Sequence, residues 1–88
     1  MYTFIMDFRG GTYISQSLED SLENAVNKWG LNLDITQINY LTASTKKELL
    51  DNLVDTEVVE IDNMKNVWFF CFSIRTGFIK VNVIKTAL

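Results

Sequence analysis

The side chains able to act as nucleophiles, proton carriers or metal ligands are few in this chain. It contains no histidine and a single cysteine, Cys71, so a Ser/His/Asp or Cys/His nucleophile system is excluded. Structural zinc needs several cysteine or histidine ligands, which this chain cannot supply. Carboxylates remain as acid–base groups, and a rate controlled near neutral pH is hard to obtain from them alone. We therefore expect no enzyme, with no catalytic residue, no metal and no cofactor, and we expect Cys71 to be a small buried apolar group.

Two short motifs resemble binding sites. An acidic cluster could hold a hard cation, but it lacks the spacing of a calcium loop. Its members are Asp51, Asp55, Glu57, Glu60 and Asp62. The triplet Arg9-Gly10-Gly11 resembles an RNA-binding motif, and the lysine of a phosphate-binding loop does not follow it. We interpret the cluster as a solvated edge that could face a basic partner, and the triplet as a hairpin turn.

Length and charge narrow the class of protein. The 88 residues are expected to form one domain over 1–88. The net charge of −3 argues against nucleic acid as the main partner, because phosphate contacts need a concentrated basic face. The apolar runs are too short to span a bilayer, and the start MYTFIMDFRGG lacks the basic region of a signal peptide. With its single cysteine, we expect a cytoplasmic protein of bacterial size, with no membrane partner.

The first half of the chain predicts a hairpin. Residues alternate between apolar and polar over Tyr2 to Phe8, which is strand periodicity. Gly10-Gly11 is the expected two-residue loop, so that Thr12 to Gln16 returns as the second strand and Phe8 pairs with Tyr13. The face predicted to meet the core carries Phe4, Met6, Phe8 and Tyr13. The opposite face, with Ile5 and Ile14, is mixed.

Two helices are predicted after the hairpin. Apolar residues recur at helical spacing from Leu18 to Trp29, with Ser17 as the N-cap and Gly30 as the stop. The segment Leu31 to Thr42 is ambiguous, and a short helical turn is favoured over a strand. A capping box, Thr45-x-x-Glu48, opens a second helix over Lys46 to Leu53.

Three strands are predicted to complete the chain. Glu57 to Asp62 alternates and carries charges that suit a sheet edge. Val67 to Arg75 and Phe78 to Lys85 form a hairpin with Thr76-Gly77 as its loop. The order β-β-α-α-β-β-β predicts an α+β fold, a five-stranded antiparallel sheet with two helices on one face.

The last hairpin is apolar on both of its faces. Partners that lie opposite each other share a face. One face is an unbroken apolar layer for the helices: Trp68, Phe70, Phe72, Ile74, Ile79, Val81 and Val83. The second face is half apolar, and polar residues interrupt it, among them Ser73 and Arg75. The interaction surface that we predict on this face is Val67, Phe69, Cys71, Phe78, Lys80, Asn82 and Ile84.

Several arrangements could cover this second face. A second copy could pack against it and form a homodimer, a different protein could dock there, or the second helix could cross to that side. We favour the homodimer, because symmetric dimers are the commonest oligomers and a small domain gains most from one. In a simpler interpretation, the strand is central and its polar residues lie at its ends.

The predicted function is that of a non-enzymatic protein–protein interaction module. The alternative is a small-molecule-binding domain with a pocket between sheet and helices, lined by Trp29, Tyr40 or Trp68. The stretch from Phe4 to Trp29, FIMDFRGGTYISQSLEDSLENAVNKW, resembles the hairpin-then-helix opening of HicB-type antitoxins. The family's Pro and Gly segment and its DNA-binding tail have no counterpart here. The resemblance implies a small acidic inhibitor or immunity-like protein.

Overall fold

The predicted α+β fold is confirmed by the computed structural model, which describes residues 1–86. The strands are β1 (Tyr2–Phe8), β2 (Gly11–Ser17), β3 (Val59–Glu60), β4 (Val67–Ile74) and β5 (Gly77–Lys85), and the helices are α1 (Leu22–Leu31) and α2 (Ala43–Asp55). The five strands form one antiparallel sheet in the order β2-β1-β5-β4-β3. The first and last strands of the chain are therefore neighbours, and β2 and β3 are the edges.

Both hairpin loops lie one residue earlier than predicted. The first is Arg9-Gly10, where both residues have positive φ as a type I′ turn requires, and Met6 rather than Phe8 pairs with Tyr13. The second places Ile74 opposite Gly77. Each register is displaced by two residues. Because side chains alternate with a period of two, a displacement of two residues leaves every side chain on the face predicted for it.

The helices cover one face of the sheet. Trp29 of α1 stacks on Phe4 of β1, with ring centroids 5.7 Å apart, and meets the ring of Phe70 of β4 edge-on at 5.4 Å. Leu49 and Leu53 of α2 belong to the same buried core. The proposal that the second helix crosses to the other side is therefore wrong.

Helix α1 begins later than the sequence predicts. Ser17 still pairs with Tyr2 in the sheet, so it cannot cap a helix, and Leu18 is exposed. Ser21 is the N-cap instead, and its Oγ accepts a hydrogen bond from the backbone N–H of Asn24. Gly30, predicted as the stop, lies inside the helix.

Helix α2 begins earlier than predicted, because its capping box is formed by Thr42 and Thr45. Lys46 in its first turn donates hydrogen bonds from Nζ to the carbonyl oxygens of Leu31 and Leu33, each at 2.8 Å. These bonds satisfy carbonyls at the end of α1. The preceding segment contains a turn, as predicted, in which Gln37 donates its backbone N–H to the carbonyl oxygen of Asp34.

Gly30 sets the distance between the two helices. A Cβ atom at this position would lie 2.8 Å from Cδ2 of Leu53 and 3.0 Å from Cδ2 of Leu50. Both distances are shorter than ordinary van der Waals contact, so a side chain here would displace these leucine methyl groups. Gly30 thus contributes to the close packing of the two helices and does not terminate α1.

We expect Gly30→Val to lower the free energy of unfolding by about 1–3 kcal/mol, because the side chain overpacks the contact between the helices. The matched control is Leu31→Val, which introduces the same residue at the exposed neighbouring position of α1. Urea unfolding followed by tryptophan fluorescence measures both. Equal losses in the two variants would show that the helices do not need this close approach.

Candidate functional site

The second face of the sheet carries a belt of apolar side chains across all five strands. In register, Ile14 of β2 lies beside Ile5 of β1, and Phe69 of β4 lies beside Val59 of β3. The polar Asn82 of β5 separates these two pairs in the same row. The next row adds Ile84 and Val67 as direct partners. We call this set the apolar belt: Ile5, Ile14, Val59, Val67, Phe69 and Ile84. Neither helix packs against it.

The structure brings the predicted surface residues together on this face. The cross-strand pairs are Val67 with Ile84, Phe69 with Asn82, Cys71 with Lys80, and Ser73 with Phe78. Those near the middle of the belt, including Phe69 and Ile84, are half-buried by their neighbours. Phe78 lies at the turn end of the face and is 48% exposed. Strand β4 pairs with β5 along its whole length and with β3 only at Trp68 and Phe69, and no described element covers its second face.

Two residues differ from their predicted roles. Arg75 leaves the second face, because its backbone N–H and its Nε both donate to the Glu48 carboxylate of α2, the latter at 3.2 Å, and its guanidinium also reaches Ser44. Cys71 is exposed, so the prediction of a buried thiol is wrong. Its position in the strand directs it to the uncovered face.

Three belt residues were missed from the sequence as parts of the surface. Ile14 is 66% exposed and Val59 is 50% exposed, and Ile5 lies between Ile14 and Asn82. Strand periodicity had placed Ile5 and Ile14 on one face. The missing information was the strand order, because only the pairing of β1 with β5 makes this face continuous with that of β4.

Charged and polar side chains lie beside the belt on the second face. Asp7 of β1 lies directly opposite Lys80 of β5, so one carboxylate and one ammonium group are neighbours. Thr12 donates a hydrogen bond to Asp7 at 2.8 Å, and Gln16 donates one to Thr3 at 3.0 Å. Hydrogen bonds within the face therefore engage Asp7 and Thr3, whereas the Lys80 ammonium group forms no hydrogen bond or salt bridge within residues 1–86.

A separate cavity of about 410 Å³ lies on the helix side of the sheet, beside β2. Its walls are the strand from Thr12 to Ser17, Trp29 of α1, and the connection around Leu33 to Ile38. The volume lies in the range of ligand pockets, about 300–1,000 Å³. It forms because Ser15 and Ser17 face the helix side where the neighbouring strands present larger apolar groups.

Of the three residues predicted to line a pocket, one does so. Trp29 forms a wall of the cavity. Tyr40 is exposed on the connection, and the Arg9 guanidinium lies 4.1 Å above its ring. Trp68 does not line the cavity, and the centroid of its ring lies 6.1 Å from that of Tyr2. Arg9 also donates a hydrogen bond to the carbonyl oxygen of Thr76, so it joins the two hairpin turns.

Asp34 supplies a carboxylate at the rim of the cavity. Hydrogen bonds from the Thr36 hydroxyl, at 2.6 Å, and the Thr36 backbone N–H, at 2.9 Å, lower the pKa of Asp34, and the charge of Lys46 adds to the effect. The lowering extends the ionised range of this carboxylate to lower pH. Asp34 is the one charged side chain among the residues that line the cavity.

Residues 1–86 contain neither a group of metal-ligating side chains nor a membrane-spanning helix. No three of their acidic or cysteine side chains are grouped so that they could hold a metal ion. None of their helices combines the length and the apolar character needed to cross a bilayer.

Comparison with family models, with curated proteins and with solved structures finds no match for this chain.

We expect Thr36→Val to raise the pKa of Asp34 toward its ordinary value of 3.8, because the hydroxyl bond is the largest cause of the lowering. Thr36→Ser, which keeps the hydroxyl, is the matched control and should leave the pKa low. NMR titration of the Asp34 carboxyl carbon measures both. Because the pKa of Asp34 is lower in the folded state, the ionised carboxylate stabilises the fold at pH values above the unfolded-state pKa. This stabilisation is lost as the pH falls through the folded-state pKa. An equal pKa in both variants would contradict this assignment.

Proposed function

We propose that this protein is a non-enzymatic interaction module that self-associates through the second face of its sheet, forming a symmetric sheet-to-sheet homodimer. The observation that carries the proposal is the apolar belt, which crosses all five strands and is left uncovered by both helices. Contiguous apolar patches on small proteins mark interaction surfaces. Two antiparallel sheets pack face to face at a separation of about 10 Å.

The size of the face suits a dimer. Four strands of seven to nine residues, about 4.8 Å apart, give a face of roughly 19 by 25 Å. The two-residue β3 widens this face over part of its length. Its accessible area exceeds this projection, because side chains stand out from the sheet. A stable interface buries about 800 Å² on each partner. The accessible area of the face is of the same order as this buried area, whereas the area of a single apolar side chain is much smaller.

A second copy is favoured over a foreign partner by the charge of the face. Asp7 and Lys80 lie opposite each other on neighbouring strands, so a carboxylate and an ammonium group offset each other within the face. A chain of 88 residues also leaves much of its apolar surface in water, and self-association buries more of it.

The acidic cluster supports a further partner of opposite charge. Asp51 and Asp55 lie on α2, and Glu57 and Glu60 follow toward the β3 edge, all of them exposed. In a dimer built on the belt the residues of α2 remain free. This is the feature that would serve an inhibitor of a basic protein, and the exposed thiol of Cys71 suits a reducing compartment such as the cytoplasm.

The second candidate function, binding of a small molecule, is favoured by the cavity beside β2. Because the chain has two tryptophans, Trp68→Phe leaves Trp29 as the sole reporter on the cavity wall. A metabolite that binds there should change the emission of this variant and raise its melting temperature. A screen without either effect argues against this candidate.

We expect Phe69→Glu to convert the dimer to a monomer, weakening association by at least about 100-fold, because a carboxylate would be buried among apolar groups. Sedimentation equilibrium measures the mass, which for the wild type should be twice the 10.1 kDa of one chain. High salt should leave the wild-type dimer intact, since the belt is apolar.

The matched control is Val54→Glu, which places the same charge on α2 at a residue 82% exposed and outside the belt. It should remain dimeric. Far-UV circular dichroism verifies that both variants fold. A monomeric wild type at 100 µM, or dissociation by both variants alike, would overturn self-association through this face.

A further inference from the structure

The two edges of the sheet differ in how they are protected. The β3 edge is two residues long, and Glu57, Glu60 and Asp62 surround it. Short length and charge are the usual defences against pairing with another strand. The β2 edge, Gly11–Ser17, is seven residues long and contains neither a charged residue nor a proline. It is an open template for an added strand.

The backbone groups that β2 offers follow from its register. In a two-residue hairpin, the pair that flanks the loop is hydrogen-bonded, here Phe8 with Gly11, and hydrogen-bonded pairs then alternate. The backbone groups of Thr12, Ile14 and Gln16 therefore point away from β1. Within residues 1–86 no hydrogen bond engages these N–H and C=O groups. Three donors and three acceptors are available along one line.

The cavity runs alongside this edge. Its wall includes six consecutive residues, from Thr12 to Ser17. A pocket bounded by one face of a strand would be lined by alternate residues, so consecutive residues show that it also follows the strand backbone. A strand added to β2 would place its side chain opposite Ser15 on the helix side, where the cavity lies.

The cavity has room because the large side chain of β2 is directed elsewhere. The Tyr13 ring lies over Gly11, where an added Cβ would be 2.7 Å from the Tyr13 hydroxyl, and that hydroxyl accepts a hydrogen bond from the backbone N–H of Asn39. Ser15 and Ser17 leave the space in front of Trp29 unfilled.

We propose that the β2 edge binds an extended segment of another protein as a sixth, antiparallel strand, with one large apolar side chain of that segment in the cavity against Trp29. Backbone hydrogen bonds to Thr12, Ile14 and Gln16 supply affinity, and the cavity supplies specificity. This goes beyond self-association and does not depend on the apolar belt.

The occupant is a different protein, since a second copy leaves the cavity empty. Pairing of β2 with its own copy offers only Ser15 and Ser17, which are too small, and Tyr13, which is held by Asn39. A basic flank on the incoming segment is favoured, because Asp34 is the one charged side chain among the residues that line the cavity and the chain carries a net charge of −3.

The test uses the wild-type chain and a defined probe, an acetylated eight-residue peptide of alternating threonine and valine with lysine at both ends and a phenylalanine at one central position. Matched peptides carry alanine in place of phenylalanine, or N-methyl groups on the amides that would face β2. The readouts are the ¹H–¹⁵N shifts and the hydrogen exchange of the Thr12, Ile14 and Gln16 amides, and Trp29 emission in Trp68→Phe.

We expect the phenylalanine peptide to protect these three amides from exchange and to bind about 10- to 100-fold more tightly than the alanine peptide. N-methylation should abolish binding. Ser15→Leu, which fills the cavity from the strand, should remove the preference for phenylalanine. Gln16→Pro removes one outward N–H without breaking the ladder to β1, and should weaken the binding of every peptide.

Three results would overturn the proposal. The first is no shift of the three amides with 1 mM phenylalanine peptide. The second is an equal Trp29 response to benzyl alcohol without protection of the amides, which would make the cavity a small-molecule site. The third is protection of the three amides in the protein alone, which would show that β2 pairs with its own copy.

Discussion

The antiparallel pairing of β1 with β5 is the constraint on which the rest of this structure depends. It joins the first and last strands of the chain through seven residue pairs, from Tyr2 with Lys85 to Phe8 with Ile79. One face of this pairing, with Phe4, Met6, Val81 and Val83, is fully buried under the helices. Because hairpins lie on both sides of it, the same pairing sends β2 to one edge and β3 to the other.

The aromatic contacts of Trp29 extend this constraint to the helices. The indole ring lies between Phe4 of β1 and Phe70 of β4, so one residue of α1 spans three strands of the sheet. Gly30, the next residue, lets α2 approach closely. Both helices are thereby committed to one side, and the other side of the sheet is left without a cover.

Two surfaces follow from this one-sided architecture, and they differ in kind. The apolar belt is a patch of apolar side chains on one face of the sheet, which suits a second copy of the same patch. The β2 edge is a line of backbone donors and acceptors with a cavity beside it, which suits an extended segment. The two surfaces can be used at once. A strand added to the β2 edge would lie in the plane of the sheet, whereas a partner bound to the belt would lie above that plane.

The sequence by itself determined the elements and their faces. Strand periodicity has a period of two, so the sides of Phe4, Phe70 and Val81 were correct although both hairpin registers were displaced by two residues. Helix ends were less predictable. Ser17, the predicted N-cap of α1, pairs with Tyr2 in the sheet. Glu48, predicted to complete the capping box of α2, instead accepts a hydrogen bond from the backbone N–H of Arg75. Only the tertiary structure decided the strand order, which depends on pairing between residues about eighty positions apart and leaves no local pattern. That order decided which residues complete the belt, where the cavity lies and which strand edge is open.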